Sequence, residues 1–373
     1  MPGDYRNHRA VLALLILGLC GMAGCASVPV AGQIDTRTTF QGHTDVSAHV
    51  SATLDGPIVL SMPSVADAGP LLAVPVSGGS GVPGGPRIAL IDLDGLILNQ
   101  SPTGPYSAGE NPVSAFREKL ELAAADPLVW GVVLRINSAG GSVTACDILA
   151  DELQRFRAAT GKPVVCSLMD LGTAGAYYLA VGGDLILAHP TTVTGGIGAL
   201  MNRYNLEDAM AQLNIRAEPI KSAPLIDMGT VTAPLDEGAE GLLQELADGF
   251  AARFRNRVER YRPRITESSW AILDDGRVLS APRALELALI DRIGYVPDAI
   301  AEAERLSGLS SGAEVVLLQR AGYPARSIYS VTPNAPIQEG LIPFSYPGLD
   351  RAKAPTFLYL WSVDPTILPR GGN

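Results

Sequence analysis

The segment Asn137-Ser138-Ala139-Gly140-Gly141-Ser142 is where this sequence offers chemistry first. It joins the apolar run Gly131–Ile136 to a stretch with Leu149, Leu153 and Phe156 at helical spacing. Two glycines between a strand and a helix allow a tight turn and leave backbone N–H groups free at the helix N-terminus. Such donors can polarise a carbonyl, the task of an oxyanion hole, although glycines at such a joint also serve simply to make the turn. Covalent attack on an amide further requires a nucleophile with a base in hydrogen-bond reach. The hydroxyls and bases that could supply them are Ser138 and Ser142 flanking the glycines, and Thr173, His189, Lys221 and Ser222 further along, and their spacing forms no obvious constellation. Ser138 and Ser142 read most simply as capping residues.

Composition narrows the other possibilities. The chain has 373 residues, 38 acidic against 28 Lys and Arg, and a formal net charge of −10. Nucleic-acid binding is not expected, because phosphate neutralisation needs clustered positive charge. Only four histidines and four cysteines are present, with no CxxC, so neither a metal site nor another cofactor is expected.

The elements that must position these residues alternate along the chain. Apolar strands are expected at Ile88–Leu93, Gly131–Ile136, Pro163–Ser167 and Leu185–Ala188, with helical spacing at Phe116, Leu120 and Ala124 and a small-residue helix start in GTAGAYYLA. This alternation predicts an α/β fold with stacked βαβ units, the strands buried on both faces. Leu246, Phe250, Phe254, Val258 and Tyr261 add a long amphipathic helix, a helical extension ended by Pro263. Residues 26–87 read as a tether with short strands, including Val46–Ala52 and GPIVL near Leu60, and a Gly/Pro-rich linker. Residues 88–310 form the body and 311–373 a C-terminal extension. Within that extension FLYLW reads as an edge strand or a subunit contact.

The first 25 residues are expected to be a signal. Arg6 and Arg9 precede an apolar run from Val11 that ends in Met22-Ala23-Gly24-Cys25. That ending resembles a bacterial lipobox. It implies a lipidated Cys25, an extracytoplasmic address at a bacterial membrane, and, with Ala26 following, the outer membrane in preference to the inner. Cys146 and Cys166 then remain, either pairing in an oxidising compartment or lying apart as small buried residues, one on a helix and one on a strand.

VVLRINSAGGSV, GTAGAYYLA, PTTVTGGIGAL, IKSAPLIDMG and DDGRVLSAPRALELALIDRIG follow one another in the order seen in signal peptide peptidase A, over roughly residues 88–305. The chain resembles that serine peptidase family in its single-copy form. The resemblance implies a ClpP/crotonase-type fold, ring-like oligomers, and peptide cleavage at the membrane with Gly140 and Gly141 at the oxyanion hole. Its catalytic positions are substituted here. The family's nucleophilic serine falls on Ala174, its lysine base on Ile226, and the serine that supports the lysine on Gly196. A methyl and a sec-butyl group can neither attack nor take a proton. Ile226 is expected to be buried. The expectation is a non-hydrolytic pseudopeptidase that binds peptides or scaffolds proteolysis, as a homo-oligomer or beside an active paralogue. The alternatives are a peptidase with a displaced nucleophile, Thr173 with Lys221 for instance, and a crotonase-like acyl-thioester enzyme, which a secretion signal disfavours.

Overall fold

A computed structural model describes residues 33–40, 46–53, 69–78, 84–101, 110–310, 312–322, 326–330 and 358–361, the first two stretches as backbone only. The signal with Cys25 and the GPIVL segment lie outside these residues. The chain divides into two units, Met1–Ser64 and Val65–Asn373. The first contains an antiparallel hairpin of β1 (Gln33–Phe40) and β2 (Val46–Thr53), with Gln33 opposite Thr53 and Phe40 opposite Val46.

The second unit is built on a nine-stranded sheet. Its strands are β3 (Leu71–Gly78), β4 (Arg87–Asp94), β5 (Val129–Ser138), β7 (Val164–Thr173), β8 (Leu185–Ala188), β9 (Val193–Gly195), β10 (Val278–Ser280), β11 (Arg292–Ile293) and β12 (Glu314–Arg320). A short β6 (Gly140–Ser142) follows β5, and β13 (Leu358–Leu360) pairs with it outside the main sheet. The main order is β10-β9-β7-β5-β4-β12-β3. On the edge away from β5 the ten-residue β7 serves two neighbours: Val165–Leu168 run parallel to β8, and Leu171–Thr173 run parallel to β9. The sheet thus divides along one strand, and the end of β7 delivers Thr173 and Ala174 to the seam.

Local sequence explains the helices between the strands. Asn111 caps the Pro112–Ala125 helix, its side-chain oxygen accepting from the N–H groups of Val113 and Ser114, and Pro112 stands where no amide partner is needed. Ser142 caps the Val143–Thr160 helix by accepting from Ala145 N–H at 3.2 Å, and Gly161 ends it at φ +66°. These helices bury Phe116, Leu120, Leu149, Leu153 and Phe156 against β4, β5 and β7 on one face of the sheet. The Val296–Leu306 helix covers the other face with Val296, Ala299, Ile300 and Ala303. Strands buried on both faces explain the uninterrupted apolar runs.

The body is wider than its expected bounds of 88 and 310. β3 belongs to the sheet, not to a tether, and β12 lies between β3 and β4, antiparallel to the first and parallel to the second. Pro75 masks β3 in the sequence. It is tolerated because β3 is the sheet's edge and Pro75 sits at a register shift opposite Val316. The helix Glu237–Tyr261 also differs from expectation. Phe254 and Val258 are buried, but Leu242 and Leu246 are exposed, so apart from Ala239 near its start the helix buries its apolar face through its C-terminal half.

Candidate functional site

The glycine turn is locked from two sides. Ile97 N–H donates to Gly140 O and Ser142 N–H to Ile97 O, both at 2.9 Å. A Cβ on Gly141 would fall 1.9 Å from Ile97 O, and one on Gly140 would fall 1.9 Å from Tyr359 O and 2.8 Å from the amide nitrogen of Gly175. Gly140 also has φ +105°, a conformation that residues with a Cβ rarely adopt. The two glycines are thus required by close backbone approach as well as by the turn. Ser138 braces this turn, its Oγ accepting from Gly140 N–H at 3.0 Å.

Ala174 occupies the joint between β7 and the short helix Gly175–Ala180. Its backbone is at φ 49° and ψ −118°, a strained conformation for a residue with a Cβ, worth about 1–3 kcal/mol. It persists because its N–H donates to Gly195 O at 2.7 Å and its carbonyl accepts from Tyr178 N–H at 2.9 Å. A side chain at such an elbow is aimed by the backbone itself, which is what a nucleophile needs and a methyl cannot use. Gly196 adjoins it: a Cβ there would lie 3.7 Å from Ala174 Cβ and 3.4 Å from its nitrogen. The structure therefore brings positions 174 and 196 together. Gly196 itself has φ +69°, so a serine placed there would be strained whatever the space.

Ile226 differs in its surroundings. Ala174 is buried, whereas Ile226 is 68% exposed within a run of turns. The expected burial of Ile226 is therefore corrected. Residues 203–233 carry few apolar contacts to the core, and Leu213, Ile215 and Ile220 are exposed there too.

The other hydroxyls and bases are engaged elsewhere or enclosed. Thr173 is 0% exposed, and its Oγ1 has no hydrogen-bond partner among the described residues, so no substrate reaches it. Lys221 pairs with Asp227 at 2.9 Å. His189 Nδ1 meets Thr191 Oγ1 at 2.8 Å, and its ring stands edge-on to Tyr295. Ser222 is exposed. Cys146 and Cys166 are free, buried thiols on a helix and on a strand, as the second of the two sequence readings has it. Burial pushes both upward, Cys166 to about 12, so neither is a thiolate at neutral pH. Among the described residues no group of three or more His, Cys, Asp or Glu is placed to hold a metal, and no helix is long and apolar enough to cross a membrane.

Sequence reasoning missed the aromatic pocket beside the glycines. Tyr359 is 0% exposed, its ring centroid 5.1 Å from that of Tyr178 and 4.9 Å from that of Phe254, and its hydroxyl donates to Phe250 O at 2.7 Å. Tyr178 in turn donates to Asp147 at 2.6 Å, and Arg253 holds the same carboxylate. The apolar FLYLW run was the available signal, but its partner segment is not deducible from local pattern.

Comparison with known proteins bears on the family. The model of Peptidase family S49 matches residues 157–310. Protease 4 of Salmonella typhi is 32% identical over 225 residues, 60% of this chain and 35% of that protein. A Synechocystis protein described as a protease is 31% identical over 223 residues, 60% of this chain and 75% of that one. The chain thus spans about a third of the Salmonella relative and most of the Synechocystis one. Among solved structures, a variant of the membrane-bound stomatin-specific protease 1510-N aligns with 63% of this chain at 13% identity and a TM-score of 0.38. The α/β architecture around a split, mixed sheet with a parallel centre is of the ClpP/crotonase type, and the chain belongs to the SppA-like serine peptidases of family S49.

Proposed function

We propose that this chain is a lipid-anchored pseudopeptidase of its family, which holds extended peptides without cleaving them and thereby scaffolds or regulates proteolysis at a membrane. The observation that carries this reading is Ala174 at the strained elbow. The backbone that would aim a nucleophile is kept, beside Gly141, whose N–H would polarise a carbonyl, while Gly140 N–H is held by Ser138 Oγ and the residue that the elbow aims is a methyl group. Ile226, an aliphatic side chain, adds no base to activate a nucleophile. A displaced nucleophile at Thr173 is disfavoured by its complete enclosure.

The test is turnover of a fluorogenic peptide alongside labelling by a fluorophosphonate probe. Wild type is expected to give neither above background, and Ala174→Ser alone to give no turnover, because an unassisted hydroxyl is a weak nucleophile. Robust wild-type turnover abolished by Thr173→Ala or Lys221→Ala would reverse the reading.

Membrane attachment belongs to the same proposal and rests on the lipobox-like ending at Cys25. Metabolic labelling with an alkyne fatty acid is expected to tag the wild type and miss Cys25→Ser. Equal tagging of both would remove the anchor. Self-association in a ring, or docking to an active paralogue, is supported by the exposed apolar side chains of Leu213, Ile215, Ile220, Leu242 and Leu246.

A further inference from the structure

The segment Leu358–Trp361 is an extended peptide hydrogen-bonded along both edges. On one edge it runs antiparallel to β6, with Leu358 opposite Ser142, Tyr359 opposite Gly141 and Leu360 opposite Gly140. Trp361 N–H donates to Ala139 O at 2.9 Å. On the other edge Leu200 and Leu358 exchange both backbone hydrogen bonds, at 2.9 and 2.8 Å. Exchanging and non-exchanging pairs alternate along an antiparallel ladder, so the bond from Trp361 makes Tyr359 and Gly141 the next exchanging pair. The Tyr359 carbonyl then accepts from Gly141 N–H. The same oxygen lies against Gly140 and Gly175: a Cβ on the first would be 1.9 Å from it, and a Cβ on the second 3.0 Å. Gly175 directly follows Ala174. A peptide carbonyl therefore rests on the glycines beside the strained elbow, and its side chain fills the pocket of Tyr178 and Phe254.

We infer that β13 is a resident ligand: the chain's own C-terminal strand occupies the peptide groove. The external ligands that displace it are extended peptides with an aromatic side chain at the place of Tyr359 and apolar neighbours. This inference rests on the peptide-binding reading above. Backbone pairing on both edges recognises any extended chain, and the pocket selects the side chain. The pocket suits a tyrosine, because the Phe250 carbonyl accepts a hydrogen bond from the hydroxyl. The chain leading to this strand is held at the sheet by Arg135, which donates to the carbonyls of Ile328 and Ser330. A ligand joined covalently to its site acts at an effective concentration on the order of millimolar. Against a peptide of micromolar affinity, such a strand weakens apparent binding by about a thousandfold.

The test uses the full chain and a fluorescein-labelled Phe-Leu-Tyr-Leu-Trp peptide, followed by fluorescence polarisation. Leu200→Cys with Leu358→Cys places two thiols on an exchanging pair, whose Cα separation of about 5.5 Å suits a disulfide. Oxidised, this variant is expected to lose binding of the probe and to regain it on reduction. Tyr359→Ala, which empties the pocket, is expected to bind the probe at least tenfold more tightly than wild type. Equal binding by the oxidised variant, Tyr359→Ala and wild type would overturn the inference and leave peptide binding itself standing. No binding by any form, the reduced variant included, would overturn both. Cleavage of the probe, blocked by oxidation, would overturn the non-hydrolytic reading alone.

Discussion

Gly141→Ala is expected to cost about 4 kcal/mol of stability or more, among the largest effects a single methyl can have. The added Cβ would fall 1.9 Å from Ile97 O, 2.5 Å from its carbonyl carbon and 2.7 Å from its Cα. All three are backbone atoms, and none can rotate away. Ile97 is itself fully buried and held by hydrogen bonds on both sides, to Gly140 O and from Ser142 N–H. Relief therefore requires moving the loop after β4 or the turn after β5, each packed in the core. Urea unfolding, with soluble yield as a first indication, measures the loss. A midpoint shift equivalent to less than about 1 kcal/mol would mean that the two segments part easily. Gly140→Ala differs in where it strikes, since its methyl would meet Tyr359 O and so press on β13.

Asp92→Ala should lower stability by about 3–5 kcal/mol, because it leaves a buried guanidinium without its carboxylate. Asp92 and Arg135 face each other in register on β4 and β5, with side chains 5% and 4% exposed. The guanidinium donates to both carboxylate oxygens, at 2.6 and 2.8 Å, and Lys119 Nζ reaches the Asp92 carbonyl at 3.2 Å. Burial lowers the pKa of the Lys119 ammonium, and removing the nearby negative charge would lower it further. The pair is expected to be less costly to replace than to break. Asp92→Leu combined with Arg135→Met should recover much of the loss, as a double-mutant cycle would show. A loss below about 1 kcal/mol for Asp92→Ala would show that solvent reaches this pair.

The sequence and the structure agree best where strands are covered on both faces. β4, β5, β7 and β8 each read as an apolar run, because burial on both sides leaves no polar alternation to confuse the pattern. β3 escaped because Pro75 argues against a strand unless the edge position and the bulge are known. β12 escaped because it is seven residues long and its neighbours, β3 and β4, lie more than two hundred residues earlier. At the site, Ala174 and Gly196 were named by motif order, but their adjacency follows from the split of β7 between β8 and β9. The burial expected for Ile226 failed because an aliphatic side chain outside a periodic element carries no information about which face it presents. The pairing of β13 with β6 was invisible for a related reason: non-local ladders leave no trace in local composition.

The position of β12 also orders events in time. β4 has β5 on one side, and its other neighbour is a strand whose residues are made only after every helix of the described core. β3, near the beginning of the same unit, has β12 as its neighbour in the sheet and so must wait unpaired until then. Closing such a long span is slow, and the open edges of β3 and β4 are sticky meanwhile. A chain emerging N-terminus first from a ribosome or a narrow channel thus stays unlatched until Glu314–Arg320 have appeared. If the chain is exported, as the membrane attachment proposed above requires, late latching would keep it threadable during passage and concentrate the risk of misassembly in the moments just after release.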